Sequence, residues 1–240
     1  LNKELLDKFA RVKIEKNVEE IYLFGSVVRG EADEFSDIDI LIVIDDCSED
    51  EYIEWKNKFA KYLDIPVYWI SLYRHSKILR MHEAGSYFLW HIKKEGKEIY
   101  SRDNELASLL LVLPRYNNTK KDLQEYSDIL SDIKNELKDR YISIEYELAV
   151  LASLVRNTCI AISYLDGKLD FGRNSPVMYC FYKYKIGIDL KDYQKLYQYR
   201  LYHTHKIESV PKGEREQLEK WIKIESNLLT IANERCEDHD

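Results

Sequence analysis

Two aspartates, Asp37 and Asp39, sit either side of one isoleucine at the head of the run Asp-Ile-Asp-Ile-Leu-Ile-Val-Ile, residues 37–44. Read as a strand, that run sends residues two apart to the same face, so both carboxylates point one way. Like charges at that spacing are costly unless something positive lies between them. Mg²⁺ fits: a hard ion, commonly held by one or two carboxylates together with substrate phosphates. Two such ions, ~3.5–4 Å apart, can clamp the attacking and leaving oxygens of an in-line displacement. Gly25-Ser26 closes an earlier apolar run, Ile21-Tyr22-Leu23-Phe24, and ten residues separate Ser26 from Asp37. Glycine lets a backbone approach a phosphate closely. The Ser26 hydroxyl and exposed N–H groups can bind its oxygens, especially where a helix begins. Arg29 is near enough to support phosphate charge, and Gly30 permits a turn. Asp37 and Asp39 are therefore the candidate catalytic and metal-holding residues. Gly25, Ser26 and Arg29 are the candidate phosphate-binding set.

The segment Leu23-Phe24-Gly25-Ser26-Val27-Val28-Arg29-Gly30, followed by Ser36-Asp37-Ile38-Asp39-Ile40, resembles the minimal nucleotidyltransferase domains of the DNA polymerase β superfamily. Their pattern of G-S, ten residues and D-x-D is matched without insertion or deletion. The resemblance covers about the first 100 residues. It implies a small mixed sheet with helices on one side. It also implies transfer of a nucleoside monophosphate from a nucleoside triphosphate, AMP from ATP in first place, to a hydroxyl acceptor with Mg²⁺ assistance. The acceptor stays open among small molecules, a protein tyrosine and RNA. An antibiotic of the aminoglycoside type is a narrower version of the first. The family usually carries a third carboxylate on the next strand, where it holds metal or acts as general base. Here Tyr68 stands at that place. Asp64 has the same strand parity but lies beyond Pro66. Three outcomes stay open: Asp64 serves through a local distortion, a carboxylate of the helical half serves, or the domain binds nucleotide with little turnover.

Several elements must position these residues. Leu5, Leu6, Phe9 and Val12 recur at helical spacing ahead of the first strand. Ser48 with Glu51 forms a capping box that opens a helix carrying Tyr52, Trp55, Phe59 and Leu63 on one face. The spacing predicts a third strand over 65–72, one helix from Ser76 to about Lys94, and a short strand over 97–100. From Asn104 onward the period is helical. Leu123 to Leu137 and Leu148 to Ile162 form two stripes, the second stopped by Asp166-Gly167. Two more helices follow, from Leu190 to about His205 and from Glu214 to Glu234. The expected fold class is α+β: a small mixed-sheet nucleotidyltransferase domain over 1–103, then an all-α helical bundle over 104–240. The acceptor would bind in the cleft between them.

The helical half is similar to HEPN domains and to the C-terminal domain of kanamycin-type nucleotidyltransferases. Arg200-Leu201-Tyr202-His203-Thr204-His205 fits the R-x(4)-H pattern of HEPN ribonucleases. In that family His and Arg cleave RNA without metal, usually across a dimer. This supplies a second reading, in which the first domain is a nucleotide-binding regulator of a ribonuclease in a toxin–antitoxin or defence system, with a homodimer through the helical half. At ~100° per residue, however, Arg200 and His205 share a helix face only if the helix ends or bends between them.

Composition narrows the rest. The chain has 240 residues, 45% hydrophobic and 33% charged, which excludes a disordered polymer. A net charge of −7 does not advertise nucleic-acid binding. His75, His82 and His91 lack zinc spacing. The four cysteines are scattered and form no C-x-x-C pair. They read as reduced thiols, and with no secretory leader or uninterrupted membrane-length apolar run, a cytoplasmic location is expected.

Overall fold

The computed structural model describes residues 3–13, 15–138 and 142–238. The chain divides into two compact units, Leu1–Asn117 and Asn118–Asp240. In the first unit the helix α1 (Lys3–Lys13) precedes β1 (Val18–Phe24), the one-turn helix α2 (Ser26–Arg29), β2 (Asp39–Ile44) and α3 (Glu49–Leu63). A 3-10 turn (Val67–Trp69) leads into β3 (Ile70–Arg74). Then come α4 (His75–Glu83), α5 (Tyr87–Glu95), β4 (Lys97–Ser101) and α6 (Glu105–Leu111). The second unit holds α7 (Thr119–Glu136), α8 (Ile144–Leu165), α9 (Ser175–Lys183), α10 (Leu190–His203) and α11 (Arg215–Glu237).

The sheet is mixed, in the order β3-β2-β1-β4. β1 runs antiparallel to both β2 and β4, while β2 and β3 are parallel. Central strands buried on both faces lose the polar alternation of a half-exposed sheet, which is why β2 reads as continuous Ile-Leu-Ile-Val-Ile. Its even residues Ile40, Ile42 and Ile44 pack with Phe9 and Val12 of α1 and Phe59 and Leu63 of α3. Its odd residues Leu41 and Val43 pack with Ile78 of α4, Leu89 and Ile92 of α5, and Leu106 and Leu110 of α6. Helices therefore cover both faces, where the family resemblance implied one. Side chains before Asp7, including Leu5 and Leu6 of the expected α1 stripe, lie outside the described ones.

Three further expectations are adjusted. The single helix from Ser76 to Lys94 is two helices, broken at Gly85. There φ is +60°, and a Cβ would come within 2.4 Å of the Arg115 carbonyl oxygen. Ser86 then caps α5 by accepting from the Leu89 N–H. The change of character expected at Asn104 falls inside the first unit, because α6 belongs to the core of the sheet. The bundle contains α9 besides the four expected helices, with Pro176 in its first turn. The capping box of Ser48 and Glu51 is present on α3.

In the second unit α8 is central and packs against α7, α9, α10 and α11. It is 22 residues long and apolar enough to cross a membrane by length and composition, and 67% of its most apolar stretch is buried in the bundle. Burial among four neighbours explains why it is apolar nearly all round.

Candidate nucleotide-binding site

β1 ends at Phe24, and its register pairs that residue with Asp39, the first residue of β2. The chain then turns through Gly25, at φ +73° and ψ −156°, into α2, whose Gly30 cap is also left-handed. Only glycine adopts the Gly25 conformation without strain. Space imposes the same restriction. A Cβ on Gly25 would lie 2.1 Å from Asp39 Oδ2. The missing side chain is thus the room taken by the Asp39 carboxylate, and Ser26 follows directly. The N–H groups of Val28 and Arg29 turn back to the Gly25 carbonyl, closing the one-turn helix.

Asp37 lies ahead of β2 rather than within it, since the strand starts at Asp39. Its approach is shaped by a local turn. The Ser36 hydroxyl donates to Asp33 Oδ1 at 2.7 Å, and the Asp33 and Phe35 N–H groups donate to Ser36 Oγ and Asp33 Oδ1. Parity within a regular strand is therefore not what sets the direction of Asp37.

Arg29 meets carboxylates. Its Nε donates to Glu31 Oε2 at 2.7 Å and its Nη1 to Glu95 Oε2. Burial works against the guanidinium charge, but these two partners outweigh it and hold the group above its ordinary value. Glu95 also accepts from His91 Nε2 at 2.9 Å. The His91 ring meets Phe24 edge-on, with centroids 5.1 Å apart. His91 and Glu95 are the residues sequence reasoning missed here. Their i, i+4 spacing on a helix was visible, but their link to Arg29 spans 66 positions of chain.

The third carboxylate of the resemblance has no counterpart on β3. Tyr68 lies in the 3-10 turn before that strand and is 76% exposed. Within β3, register with β2 places Ser71 and Tyr73 beside Leu41 and Val43, on the face that carries Asp39. Asp64 caps the C-terminus of α3 in a left-handed conformation and pairs with Lys8 of α1. Both helices belong to the opposite face of the sheet. Among the described residues no group of three or more His, Cys, Asp and Glu side chains is placed to hold a metal ion.

The R-x(4)-H residues have different surroundings. Arg200 directs Nη1 to the Ser153 hydroxyl on α8. α10 ends at His203, and His205 follows in a left-handed turn with φ +56°. His205 lines a groove of about 700 Å³ with Tyr202, His203, Lys206 and Glu208, a lining that does not include Arg200.

Comparison with known proteins gives one family match and several similar structures. Residues 7–105 match the family model "Polymerase beta, Nucleotidyltransferase". No curated protein sequence matches the chain. Among solved structures, spectinomycin adenyltransferase AAD(9) from Enterococcus faecialis, with ATP and spectinomycin, is similar over 96% of this chain and 100% of its own. The identity is 15% and the TM-score 0.50. A toxin–antitoxin structure with AMP-PNP matches 56% of this chain and 99% of its own, at 25% identity and a TM-score of 0.33. The toxin–antitoxin MntA-HepT matches 55% of this chain and 99% of its own, at 20% identity and a TM-score of 0.33. The first of these shows a shared fold. With the family match over the strand–turn–strand that carries Gly25 and Asp39, residues 7–105 form a nucleotidyltransferase domain of the polymerase β family.

Proposed function

We propose that this protein transfers AMP from ATP to a hydroxyl acceptor at the Gly25–Asp39 turn. The observation that carries this reading is the 2.1 Å approach between the absent Gly25 Cβ and Asp39 Oδ2. It sets a carboxylate oxygen against a backbone turn whose next residue is a serine, the pairing a metal-bound triphosphate asks for. Gly25 and Ser26 bind triphosphate oxygens, and Asp37 and Asp39 bind Mg²⁺. The donor set fits that ion, since Mg²⁺ needs only one or two protein carboxylates when phosphate and water oxygens complete its shell. When bound, Mg²⁺ supplies charge neutralisation for the phosphoryl oxygens. The residues of this chain orient the α-phosphate for in-line attack and keep the acceptor oxygen opposite the pyrophosphate. Arg29 supports phosphate binding from the end of the short helix, where Glu31 and Glu95 hold its guanidinium.

The adenyltransferase whose fold this chain shares was determined with ATP and spectinomycin, which supports ATP as donor. Cys159 and Cys180 are buried thiols outside any disulfide, in keeping with a cytoplasmic location.

The test is incubation with α-phosphate-labelled ATP and Mg²⁺, following pyrophosphate release and label on small hydroxyl compounds, on protein and on RNA. Pyrophosphate release that disappears in Asp39→Asn and in Gly25→Ala is the expected result. Release that persists in both variants would sink the assignment.

A further inference from the structure

One helix holds both ends of the Gly25–Ser26 turn. Phe24, the residue before it, lies against the His91 ring of α5. Arg29, which ends the short helix after it, reaches Glu95, one turn further along α5. His91 and Glu95 are themselves in contact. A single carboxylate oxygen, Glu95 Oε2, thus gathers the guanidinium and the imidazole, and each of these leads to one flank of the turn. The Glu95 side chain is only 7% exposed. A carboxylate so enclosed is costly unless paired. Burial pushes it up, yet His91 and Arg29 together hold it below its ordinary value. With Glu31 on its Nε and Glu95 on its Nη1, the Arg29 fork is already committed to carboxylates.

We propose that Glu95 is a positioning residue for nucleotide binding, setting the Gly25–Ser26 turn at its close approach to Asp39 through Arg29 and His91. This rests on the reading of that turn as the triphosphate site. A turn that must present N–H groups to phosphate oxygens tolerates little displacement, so its neighbours decide affinity without touching the ligand. Arg29 then acts on ATP chiefly through the backbone it anchors.

The experiment is a double-mutant cycle read in ATP affinity. Binding of ATP in the presence of Mg²⁺ is measured by calorimetry for the wild type, Arg29→Gln, Glu95→Gln and the double variant, alongside thermal unfolding midpoints. Each single variant is expected to weaken binding about tenfold, and the double variant no further, because the two residues act as one unit. If Glu95→Gln fails to fold, Arg29→Lys, Glu95→Asp and their double give the same cycle with charges kept. Wild-type affinity in the folded Glu95 variants would overturn the proposal. So would coupling that appears in the unfolding midpoints but not in affinity. A wild-type protein that does not bind ATP would instead remove the nucleotide-site reading, and the proposal with it.

Discussion

Glu95 in the first unit and Glu225 in the second are enclosed glutamates treated in opposite ways. Glu95, at the end of α5 in the first unit, has a guanidinium and an imidazole on one oxygen and is held below its ordinary value. Glu225, on α11 in the bundle, is fully buried. Its Oε1 accepts from the Thr158 hydroxyl at 2.6 Å, and its Oε2 has no hydrogen-bond partner. Burial pushes its carboxyl up to about 8, against the smaller opposing effect of Thr158. Burial alone therefore does not set the charge of a carboxyl group; its partners do. Glu95 is an anion that gathers a guanidinium and an imidazole beside a turn. Glu225 is a neutral acid in a core built from Leu151, Val155, Trp221 and Leu228. The contrast is one of partners rather than of units, since Glu20 of the first unit is also buried and raised by burial, with no hydrogen-bond partner on its Oε2.

The largest expected effect is on stability as pH changes. Because the folded carboxyl of Glu225 is raised from 4.5 to about 8, the folded state holds a proton that the unfolded chain releases. The stabilisation from that proton is complete below about 4.5 and is lost as pH rises towards about 8, at up to about 1.4 kcal/mol per pH unit. Chemical denaturation across that window should show the decline, and Glu225→Gln should flatten it. An equal slope in the variant would break the contrast between the two glutamates. Glu95 acts in the other sense: its stabilisation is present above the ordinary carboxylate value and lost as pH falls.

Next comes the core around Glu225. Trp221, four positions earlier on α11 and 2% exposed, should cost about 3–5 kcal/mol when replaced by alanine. Denaturation of Trp221→Ala should also show a weaker pH slope, since the opened space admits water to the acid. An unchanged slope would mean that the acid stays dry in the opened core.

On activity, Asp39→Asn should lower pyrophosphate release by about 100-fold or more, the scale of removing one charge-stabilising group from a transition state. Glu225→Gln, assayed at pH 7 in parallel, should leave turnover unchanged. Equal losses in the two would erase the distinction between a carboxylate that serves the site and one that serves the core. The smallest effect is Ser48→Ala, which removes the capping box of α3 and should cost about 1 kcal/mol in denaturation with ATP affinity intact. A change in affinity there would show that the face of the sheet bearing α1 and α3 also feeds the site.

Much of this molecule was legible in the chain, because its signals are local. The Gly25-Ser26 and Asp37–Asp39 spacing, the β1 and β2 runs, the capping box at Ser48 and the stop at Asp166-Gly167 each depend on residues a few positions apart. Tyr68 shows the limit. Counting along the chain put it at the place of a third carboxylate, but a 3-10 turn intervenes and β3 begins only at Ile70. The break at Gly85 was invisible for a similar reason, because the backbone that approaches it comes from Pro114 and Arg115.

The sequence by itself determined the chemistry available: a glycine-serine turn, two aspartates on or beside one strand, and a helical second half. Those follow from side-chain type and short-range periodicity, which folding does not rearrange. Only the tertiary structure decided that Asp39 fills the space of the absent Gly25 side chain, that Arg29 answers to Glu95 and His91, and that Glu95 is charged and Glu225 neutral. Each of these depends on groups brought together across the chain, and electrostatic energy depends on distance in space and local dielectric rather than on position in sequence.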